Sequence, residues 1–575
     1  MQKVNPLFSR GGRWMGVLAL ALSGLATVAS AQVVVVGPTP QVGSSNPATA
    51  APTVTRPTTT PCVVTLFSNQ EFADFSPKTF SYAPPANCPG PWAKVVFTAD
   101  FTVTAGRQYD RTAAFYLGHA NIYYGTTAEP RHNLSPSWHV ERNVTDLSAL
   151  FDSTQTGEAN IGNFVGVYGG VDYNGIIYAT AKLEFYPANP ANPAPAVPNV
   201  VVPINGGGGD AGTLNTGSDT ISQTMTFPTN VDRAYLDVIA QSQSNDEFWY
   251  SCAPNSVAGE LQNCGGGAFR EAEVTIDGQP AGVAPVYPWI YTGGIDPYLW
   301  EPIPGIQTLN FVPYRVDLTP FAAELSNGSQ HTVAVSVFGA NSYFLATANL
   351  LLYTDPGAAQ VTGGLLSDTL TAPSPNVEAN VATPKGNGQM TAAVNTSMAR
   401  GYTISGYVNT SQGPVATTVN GSLNFVNNQK YTITNTEYAQ SVIQNTNADS
   451  TTTTQMGPYV STKVEHFRYP LTLNYAEVVN ADGSVDLTTT VGQGFNKTQS
   501  TSLNGTGAIT SSVREQDQAA DTLLFDSNFN LVGNKNSTAT QSYVGRNSLG
   551  ECYSRTITAS AQVLTSVTDG QGCGK

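Results

Sequence analysis

The sequence predicts an all-β protein made of two adjacent jelly-roll sandwiches followed by a C-terminal β domain. Only 11% of the 575 residues are charged, and 54 Gly and 37 Pro interrupt the chain, so little material remains for long amphipathic helices. Short runs such as Trp92–Val103 alternate polar and apolar residues, and Gly, Asn and Pro turns separate them. That pattern is typical of a sandwich or jelly roll.

The first residues have the three parts of a signal peptide. Lys3, Arg10 and Arg13 precede the apolar run Met15–Val28, and the small residues Ala29–Ala31 follow it. We therefore expect residues 1–31 to be removed after Ala31 and the mature protein to be secreted or periplasmic. The run is too short for a stable membrane span and no later stretch is apolar enough, so no membrane association is expected after cleavage.

Two Pro-rich stretches divide the rest of the chain. Residues 32–61 are interpreted as a Pro/Thr-rich linker with little packed structure, and residues 187–199 as an extended linker, because proline cannot donate ladder hydrogen bonds. They delimit a first jelly-roll domain at 62–186 and a second at 200–355. Each contains a strand, an acid-bearing loop, a strand and a short capped element, around Glu141–Leu147 and Tyr314–Phe321. Two such sandwiches side by side would form a cleft.

Residues 356–575 are predicted to form a separate C-terminal β domain with a flat polar surface. Aromatic residues become rare here, and Thr, Asn and Ser dominate. Hairpin turns are indicated at Asn480–Gly483 and Asp526–Asn528. An adhesin or structural role fits this third of the chain as well.

Six cysteines fall into three local pairs. In an exported chain an even number of neighbouring cysteines predicts disulfides, here Cys62–Cys88, Cys252–Cys264 and Cys552–Cys573. No C-x-x-C pattern is present, so we expect neither a cysteine metal site nor a thiol nucleophile.

The charge balance narrows the range of partners. The formal net charge is −15, and removal of the basic signal segment leaves the mature chain more acidic. Nucleic acid and anionic membranes are poor partners for such a surface.

Catalysis is expected to rest on carboxylates. The sequence contains no G-x-S-x-G, H-E-x-x-H or phosphate-loop signature. Its five histidines show no ligand spacing, so no metal and no cofactor is expected.

The stretch Gln108–Leu117 is the first candidate for chemistry. It starts with the adjacent pair Asp110 and Arg111 and then becomes apolar and aromatic, as a strand does when it leaves a wet cleft and enters a core. Neighbouring side chains of a strand point to opposite faces, so the two charges need not neutralise each other. The alternative is that Asp110 only starts a strand.

A second candidate stretch, Asn245–Tyr250, places two acids against three aromatic residues. Phe248 and Trp249 could raise the pKa of Glu247, and two acids near one cleft can divide the work of hydrolysis. The alternative is a core strand with Glu247 in solvent. Arg270 could bind a substrate oxygen or pair with Glu271, the acid that begins the next alternating strand.

Several stretches together resemble the peptide-N-(N-acetyl-β-glucosaminyl)asparagine amidases of the A type. They occur in the family's order from about residue 95 to the C-terminus: Gln108–Arg111, Thr127–Pro130, Trp138–Thr145, Glu247–Tyr250, Phe269–Glu271, Ile290–Pro297 and Gly550–Arg555. The resemblance implies two jelly rolls with the site at their junction. It implies hydrolysis of the amide between Asn and the innermost N-acetylglucosamine without a metal.

The resemblance also assigns roles. Asp110 matches the family's principal catalytic carboxylate, whereas Gly266 stands where the family expects a second acid. Glu247 is therefore the best substitute, with Glu271 behind it. Arg111 and Arg270 would hold carbonyl and sugar oxygens, and four aromatic residues are candidates for sugar contacts: Trp249, Trp289, Tyr291 and Trp300.

The expected partners are N-linked glycopeptides or glycoproteins, and the protein is expected to act as a monomer. The alternative function is a non-catalytic glycan-binding β-sandwich, which needs the aromatic residues but not the acids. Convergence of Asp110 and another carboxylate in one cleft would favour the enzyme.

Overall fold

The computed structural model describes residues 40–205, 210–382 and 388–573. The predicted signal peptide and the first part of the predicted linker lie outside these residues. Within the described ranges, no helix is both long enough and apolar enough to cross a membrane.

The first sandwich is a jelly roll. Its two sheets have the strand orders β1-β10-β3-β6 and β2-β7-β4-β5, the arrangement that two Greek keys produce. One connection is extended by the hairpin β8–β9, which forms a small sheet of its own. The strands are β1 (Cys62–Phe72), β2 (Lys78–Tyr82), β3 (Trp92–Val103), β4 (Thr112–Leu117), β5 (Ala120–Thr126), β6 (Ser137–Asn143), β7 (Gln155–Ile161), β8 (Gly166–Tyr168), β9 (Val171–Tyr173) and β10 (Ile177–Pro187).

The second sandwich repeats the first. Its sheets have the orders β11-β19-β14-β17 and β13-β18-β15-β16, and β12 pairs with β19 at the edge. The prediction of an all-β fold with two jelly rolls is therefore confirmed. The strands are β11 (Val200–Ile204), β12 (Gly212–Leu214), β13 (Ile221–Thr226), β14 (Val231–Gln243), β15 (Glu271–Ile276), β16 (Gln279–Pro285), β17 (Tyr314–Asp317), β18 (Gln330–Phe338) and β19 (Tyr343–Thr354).

Helical turns are short and lie in the connections. The strand-then-turn element appears in both sandwiches: β6 runs into a 3-10 helix and β17 into another. In the first, Asn143 Oδ1 accepts a hydrogen bond from the Thr145 N–H at 3.1 Å. The 3-10 helices are Thr145–Asp152, Ser244–Asp246, Trp249–Ser251, Pro297–Trp300 and Thr319–Phe321, and the α-helices are Asn255–Ala258 and Ala322–Leu325.

In the described residues, the C-terminal region forms one antiparallel sheet of eleven strands, most of them joined in chain order. Burial alternates along its strands, as in β22 and β23, so one face is apolar and the other faces water. Both predicted turns join consecutive strands. The strands are β20 (Thr362–Asp368), β21 (Asn376–Val381), β22 (Met390–Thr410), β23 (Gly413–Ile433), β24 (Glu437–Met456), β25 (Tyr459–Val479), β26 (Val485–Leu503), β27 (Thr506–Phe525), β28 (Leu531–Asn547), β29 (Cys552–Ser560) and β30 (Val563–Asp569).

This sheet packs its apolar face against the second sandwich. Its apolar face shares one continuous buried cluster with the second sandwich. Tyr287 packs on Tyr469 with ring centroids 4.9 Å apart, and Gln493 Nε2 donates to Pro288 O at 2.6 Å. A single sheet of Thr- and Asn-rich strands cannot bury enough apolar surface by itself, so its apolar face packs against the neighbouring sandwich.

Residues 32–61 were expected to form a linker with little packed structure. The described part, residues 40–61, differs from that expectation. Ala50 is fully buried, and its N–H donates to Gln541 Oε1 at 2.7 Å. Arg56 pairs with Glu141 and Glu184. Segment 40–61 is therefore packed on the body of the protein.

The disulfide prediction is confirmed. Cys62–Cys88, Cys252–Cys264 and Cys552–Cys573 are bonded. Each closes a local loop, and Cys252–Cys264 closes one within the long connection between β14 and β15.

Candidate active site

Equivalent connections of the two sandwiches supply the candidate site. Strand direction alternates along a jelly roll, so every second connection lies at the same end. In the first sandwich these include residues 104–111, between β3 and β4, and residues 127–136, between β5 and β6. Their counterparts in the second sandwich are residues 244–270 and 286–313.

Asp110 lies two residues before β4, half-buried at the mouth of the strand. Its Oδ2 accepts a hydrogen bond from the Gly293 N–H at 3.1 Å. Gly293 belongs to the second sandwich, so this carboxylate sits at the junction of the two jelly rolls.

Glu129 lies beside Asp110 and was not assigned a role from the sequence. Strands β4 and β5 pair antiparallel with Thr112 opposite Thr126, so the residues before β4 and after β5 meet at one sheet edge. The Asp110 N–H donates to Glu129 Oε2 at 3.0 Å. That register is the signal that could have identified Glu129 within the Thr127–Pro130 stretch.

Thr292 joins the two sandwiches at this point. Its hydroxyl donates to Thr127 O at 2.8 Å and accepts from the Glu129 N–H at 2.9 Å. The next residue must be small, because a Cβ on Gly293 would lie 2.2 Å from Glu129 Oε2 and 3.1 Å from Asp110 Oδ1. The backbone of Gly293 therefore approaches both acids directly.

Glu247 approaches from the second sandwich, between the 3-10 helices Ser244–Asp246 and Trp249–Ser251. It is half-buried, and the negative charge of Asp110 contributes to raising its pKa. Its carboxyl group makes no hydrogen bond to any residue that the structure describes, which leaves it available to a substrate.

A buried ion pair holds the loop that carries Glu247. Arg270 Nη2 donates to Asp246 Oδ1 at 2.7 Å, and both side chains are 1% exposed. The other oxygen of Asp246 accepts the N–H groups of Asn341 and Ser342 at 2.8 and 2.7 Å. The prediction that Arg270 binds substrate is therefore corrected. Its guanidinium is paired with Asp246 inside the protein, and this pair positions the loop that carries Glu247.

Burial and neighbouring charges shift the pKa values of the three acids. Burial raises the pKa of Asp110, but the Gly293 N–H and the Arg111 guanidinium act in the opposite direction. Burial and the charge of Asp110 raise the pKa of Glu129 to about 8 and that of Glu247 to about 7. Glu129 and Glu247 can therefore hold protons in mildly acidic solution, whereas the Gly293 N–H and the Arg111 guanidinium oppose the rise in the pKa of Asp110.

Arg111 is half-buried beside these acids. Burial lowers the pKa of its guanidinium, although Asp110 and Glu129 oppose this. Its backbone is fixed by a bond from its N–H to Thr127 Oγ1 at 2.9 Å, and its guanidinium lies 5.7 Å from the centre of the Tyr109 ring. Its Nε is buried and has no hydrogen-bond partner among the described residues.

An ionised carboxylate, a protonated acid and a guanidinium around one cleft can activate water and protonate a leaving group. No group of three or more His, Cys, Asp or Glu side chains is arranged to hold a metal ion in the part of the chain described here.

Comparison with known proteins places this site in a family. The model of the peptide N-acetyl-beta-D-glucosaminyl asparaginase amidase A family matches residues 48–370, which span both jelly rolls. The chain belongs to this family. The recognition from sequence motifs is confirmed.

A curated relative of the amidase A family covers nearly the whole chain. Peptide-N4-(N-acetyl-beta-glucosaminyl)asparagine amidase A of Prunus dulcis is 28% identical over 547 residues, which are 90% of this chain and 91% of the relative.

Solved structures overlap more weakly. PNGF-II is 13% identical with a TM-score of 0.36, over 51% of this chain and 66% of that chain. PNGase F, a glycosylasparaginase from Flavobacterium meningosepticum, is 12% identical with a TM-score of 0.34, over 51% of this chain and 96% of that chain.

Glu271 lies apart from the candidate site of Asp110, Glu129 and Glu247. It begins β15, where it is fully buried and pairs with Arg400 of the C-terminal sheet. Its pKa is raised to about 8, chiefly by burial. The prediction of Glu271 as a reserve catalytic acid is corrected, because the side chain has no route to a substrate.

The four predicted sugar-binding aromatic residues belong to the core, so that prediction is corrected as well. Trp249 is fully buried, and Trp289 stacks on Phe311 with centroids 4.1 Å apart. The Tyr291 hydroxyl donates to Ser242 O at 2.7 Å, and Trp300 Nε1 donates to Gly294 O at 2.9 Å. Tyr291 and Trp300 support the loop of Gly293, whereas Trp249 packs against Phe425 of the C-terminal sheet. All four residues are buried, so none offers a face to a sugar.

Other aromatic residues stand at the mouth of the cleft. Tyr109 is 42% exposed, and Tyr173, Phe248 and Tyr343 are partly exposed. The charge of Glu247 contributes to raising the pKa of Tyr343, which places that ring near the acid.

Proposed function

We propose that the protein hydrolyses the amide that joins an asparagine side chain to the innermost N-acetylglucosamine of N-linked glycopeptides. The products are an aspartate on the peptide and a free glycosylamine. Membership of the amidase A family supports the reaction class, and the acid cluster at the junction of the jelly rolls supports the mechanism.

The observation that carries the proposal is the grouping of three acids at the junction of the jelly rolls. Glu129 accepts a hydrogen bond from the Asp110 N–H at 3.0 Å, and Glu247 lies near enough for the charge of Asp110 to contribute to raising its pKa. A glycan-binding protein needs no such cluster, since neutral polar groups bind hydroxyls without the cost of burying three carboxyls. A hydrolase needs a charged group and a protonated group side by side.

Asp110 is the group that activates water. The Gly293 N–H and the Arg111 guanidinium favour its ionised form, so it accepts a proton as the water oxygen attacks the amide carbon. Glu129 holds the backbone of Asp110 through its 3.0 Å bond. It therefore orients the base rather than meeting the substrate.

Glu247 is the proton donor. Its pKa of about 7 keeps much of it protonated in mildly acidic and neutral solution, and its carboxyl is free of hydrogen bonds to the described residues. As the C–N bond of the amide breaks, Glu247 gives its proton to the departing nitrogen. One water is consumed and its oxygen remains on the new aspartate.

Arg111 completes the site by donating to the amide oxygen. Negative charge develops on that oxygen when water adds, and a half-buried guanidinium stabilises it more strongly than one in bulk water would.

The test is mass spectrometry of an N-linked glycopeptide incubated with the enzyme in heavy-oxygen water. Conversion of asparagine to aspartate carrying one heavy oxygen is expected. Asp110→Asn keeps the shape of the side chain but not its basicity, so it should fold normally and lose about 10²–10⁴-fold in turnover.

Asp152→Asn, on the surface, is the matched control and should act like the parent protein. Glycan binding without conversion would favour the glycan-binding alternative. An Asp110→Asn protein with native melting and more than about a tenth of the parental activity would contradict the assigned base.

Two further properties are part of the proposal. The basic and apolar segment before Ala31 supports export, which a fractionation of expressing cells for the cleaved chain would test. We also propose that the protein acts as a monomer, and light scattering of the purified protein would measure its oligomeric state.

A further inference from the structure

The hairpin β8–β9 distinguishes the two jelly rolls. In the first, the connection from β7 to β10 spans residues 162–176 and contains this hairpin. In the second, the equivalent connection from β18 to β19 is only residues 339–342. This connection lies at the same end as residues 104–111 and 127–136, so the first sandwich carries an extra arm on the side of its catalytic connections.

The arm is fastened to the loop of Asp110. The Arg107 N–H donates to Asn174 Oδ1 at 2.9 Å, and Arg107 O accepts the N–H groups of Asn174 and Gly175 at 3.1 and 3.0 Å. A Cβ on Gly175 would lie only 2.9 Å from Gln108 Cβ. The base of the arm and the catalytic loop therefore form one rigid unit.

Four aromatic rings run outward from Asp110 along this arm, and we call Tyr109, Tyr173, Phe164 and Tyr168 the aromatic platform. Their successive ring centroids are 5.5, 5.8 and 6.5 Å apart. Tyr168 is 74% exposed and the adjacent Val167 is 71% exposed. Aromatic surface left in water beside a cleft is typical of a binding site.

The chemistry of the platform suits sugars. Three of its four rings are tyrosines, which offer an apolar face together with a hydroxyl that donates and accepts hydrogen bonds. Asp172 and Asn174 add exposed polar groups at its edge. A pyranose presents the matching surfaces, a C–H face and a rim of hydroxyls.

We propose that the aromatic platform binds the sugars beyond the innermost N-acetylglucosamine and so makes the enzyme selective for extended glycans. This inference rests on the proposed function, because the position of the substrate is set by Asp110. The peptide side of the substrate is the competing occupant, which the experiment separates.

The experiment compares two substrates with the same peptide, one carrying a complete N-glycan and one carrying a single N-acetylglucosamine. Tyr168→Ala should lower the ratio of kcat/KM for the extended over the single-sugar substrate by about two- to tenfold, the size of one aromatic contact. Tyr168→Phe keeps the ring and should restore most of the ratio. Tyr407→Ala, an exposed tyrosine on β22, should leave it unchanged.

Three outcomes would overturn the proposal. An unchanged ratio in Tyr168→Ala with unchanged kcat/KM means that the platform binds nothing. An equal loss on both substrates means that it contacts the peptide or the innermost sugar. A loss in Tyr407→Ala of the same size means that the effect is not local.

A binding measurement keeps the inference testable if the parent protein hydrolyses neither substrate. Calorimetric titration with the free oligosaccharide of an N-glycan core should then show weaker binding to Tyr168→Ala than to the parent protein. Equal binding, or none, would refute the platform. Hydrolysis of the glycopeptide by the parent protein decides the proposed function separately.

Discussion

At Gly293 the backbone meets two carboxylates in a space that excludes any side chain. A methyl group there would lie 2.2 Å from Glu129 Oε2, so Gly293→Ala must push Glu129 away and move Asp110 with it. A shift of about 1 Å in a catalytic group can cost about 10²-fold in rate, and we expect a loss of that order in kcat. Measurement of kcat beside the melting temperature tests this.

The control for Gly293→Ala is Gly364→Ala on β20, where an added Cβ meets nothing within 4 Å. This variant should keep both activity and stability. Parental kcat in Gly293→Ala would mean that the acids do not depend on their distance from this backbone.

Opposite charge requirements of Asp110 and Glu247 set the pH dependence of the reaction. Activity needs Glu247 protonated, so it is expected to fall as pH rises through its pKa of about 7. Activity also needs Asp110 ionised, so it falls again as pH drops through the raised pKa of Asp110. A bell-shaped profile with its maximum on the acidic side of neutrality follows.

Amide variants separate the two glutamic acids in that profile. Glu247→Gln should lower kcat and abolish the alkaline limb, whereas Glu129→Gln should lower kcat and keep the limb, because Glu129 acts through its bond to Asp110. If Glu129→Gln removes the limb instead, the proton donor is Glu129. A rate that still climbs above neutral pH would contradict the carboxylate mechanism.

Among the elements, the connection between β14 and β15 depends on the ion pair of Asp246 with Arg270. Removing one member of a buried pair typically costs about 3–5 kcal/mol, because the other charge stays buried without a partner. We expect Asp246→Asn to destabilise the protein by about this amount and to lower kcat, since Glu247 is the next residue. Denaturant unfolding and steady-state kinetics measure the two effects.

The double variant Asp246→Asn/Arg270→Met removes the stranded charge and should recover part of the stability. Asp74→Asn breaks the exposed pair with Lys78 and should change the free energy of unfolding by less than about 0.5 kcal/mol. An Asp246→Asn protein as stable as the parent would show that the ion pair of Asp246 with Arg270 is unimportant for stability.

Local sequence patterns were sufficient to predict many of the strands and turns. Strand alternation, the strand-then-turn repeat and the hairpin turns depend on residues a few positions apart, so β6, β17 and the turns at Asn480–Gly483 and Asp526–Asn528 follow from the sequence. The aromatic residues Trp249, Trp289 and Trp300 lie in connections instead. There the sequence carries no period that tells an inward side chain from an outward one.

At the scale of the whole molecule, the C-terminal sheet covers the second sandwich with several buried acids between them. Burial raises the pKa of Glu515 to about 8 and that of Asp517 above its usual range. Burial and Asp521 raise the pKa of Asp296 to about 8. These carboxyls are therefore neutral in the folded protein at mildly acidic pH.

This arrangement predicts that stability is lost as pH rises. An acid whose pKa is higher in the folded state binds its proton more tightly there, so its stabilisation disappears as pH climbs from the ordinary value through the raised one. The melting temperature should fall between about pH 4 and about pH 8, the range from the ordinary to the raised pKa values of Glu515 and Asp296. Calorimetry across this range tests it, and Glu515→Gln should flatten the decline. A melting temperature independent of pH would refute the idea.

The sequence by itself determined the fold class, the pairing of the six cysteines and the family, and it pointed to Asp110. Each of these follows from local information: periodicity of two, turn residues, short loops that close readily, and motifs in a fixed order. Glu247 came from the same kind of evidence, an acid beside aromatic residues, and its role stays a prediction.

Only the tertiary structure decided which side chains meet. It brought Glu129 to Asp110 through the register of β4 and β5, buried Arg270 and Glu271 in ion pairs, and placed the predicted sugar-binding aromatics in the core. It also joined the C-terminal sheet to the second sandwich and exposed Tyr168 on its arm. These outcomes depend on contacts between residues far apart in the chain, where burial and the need to pair every buried charge choose the partners.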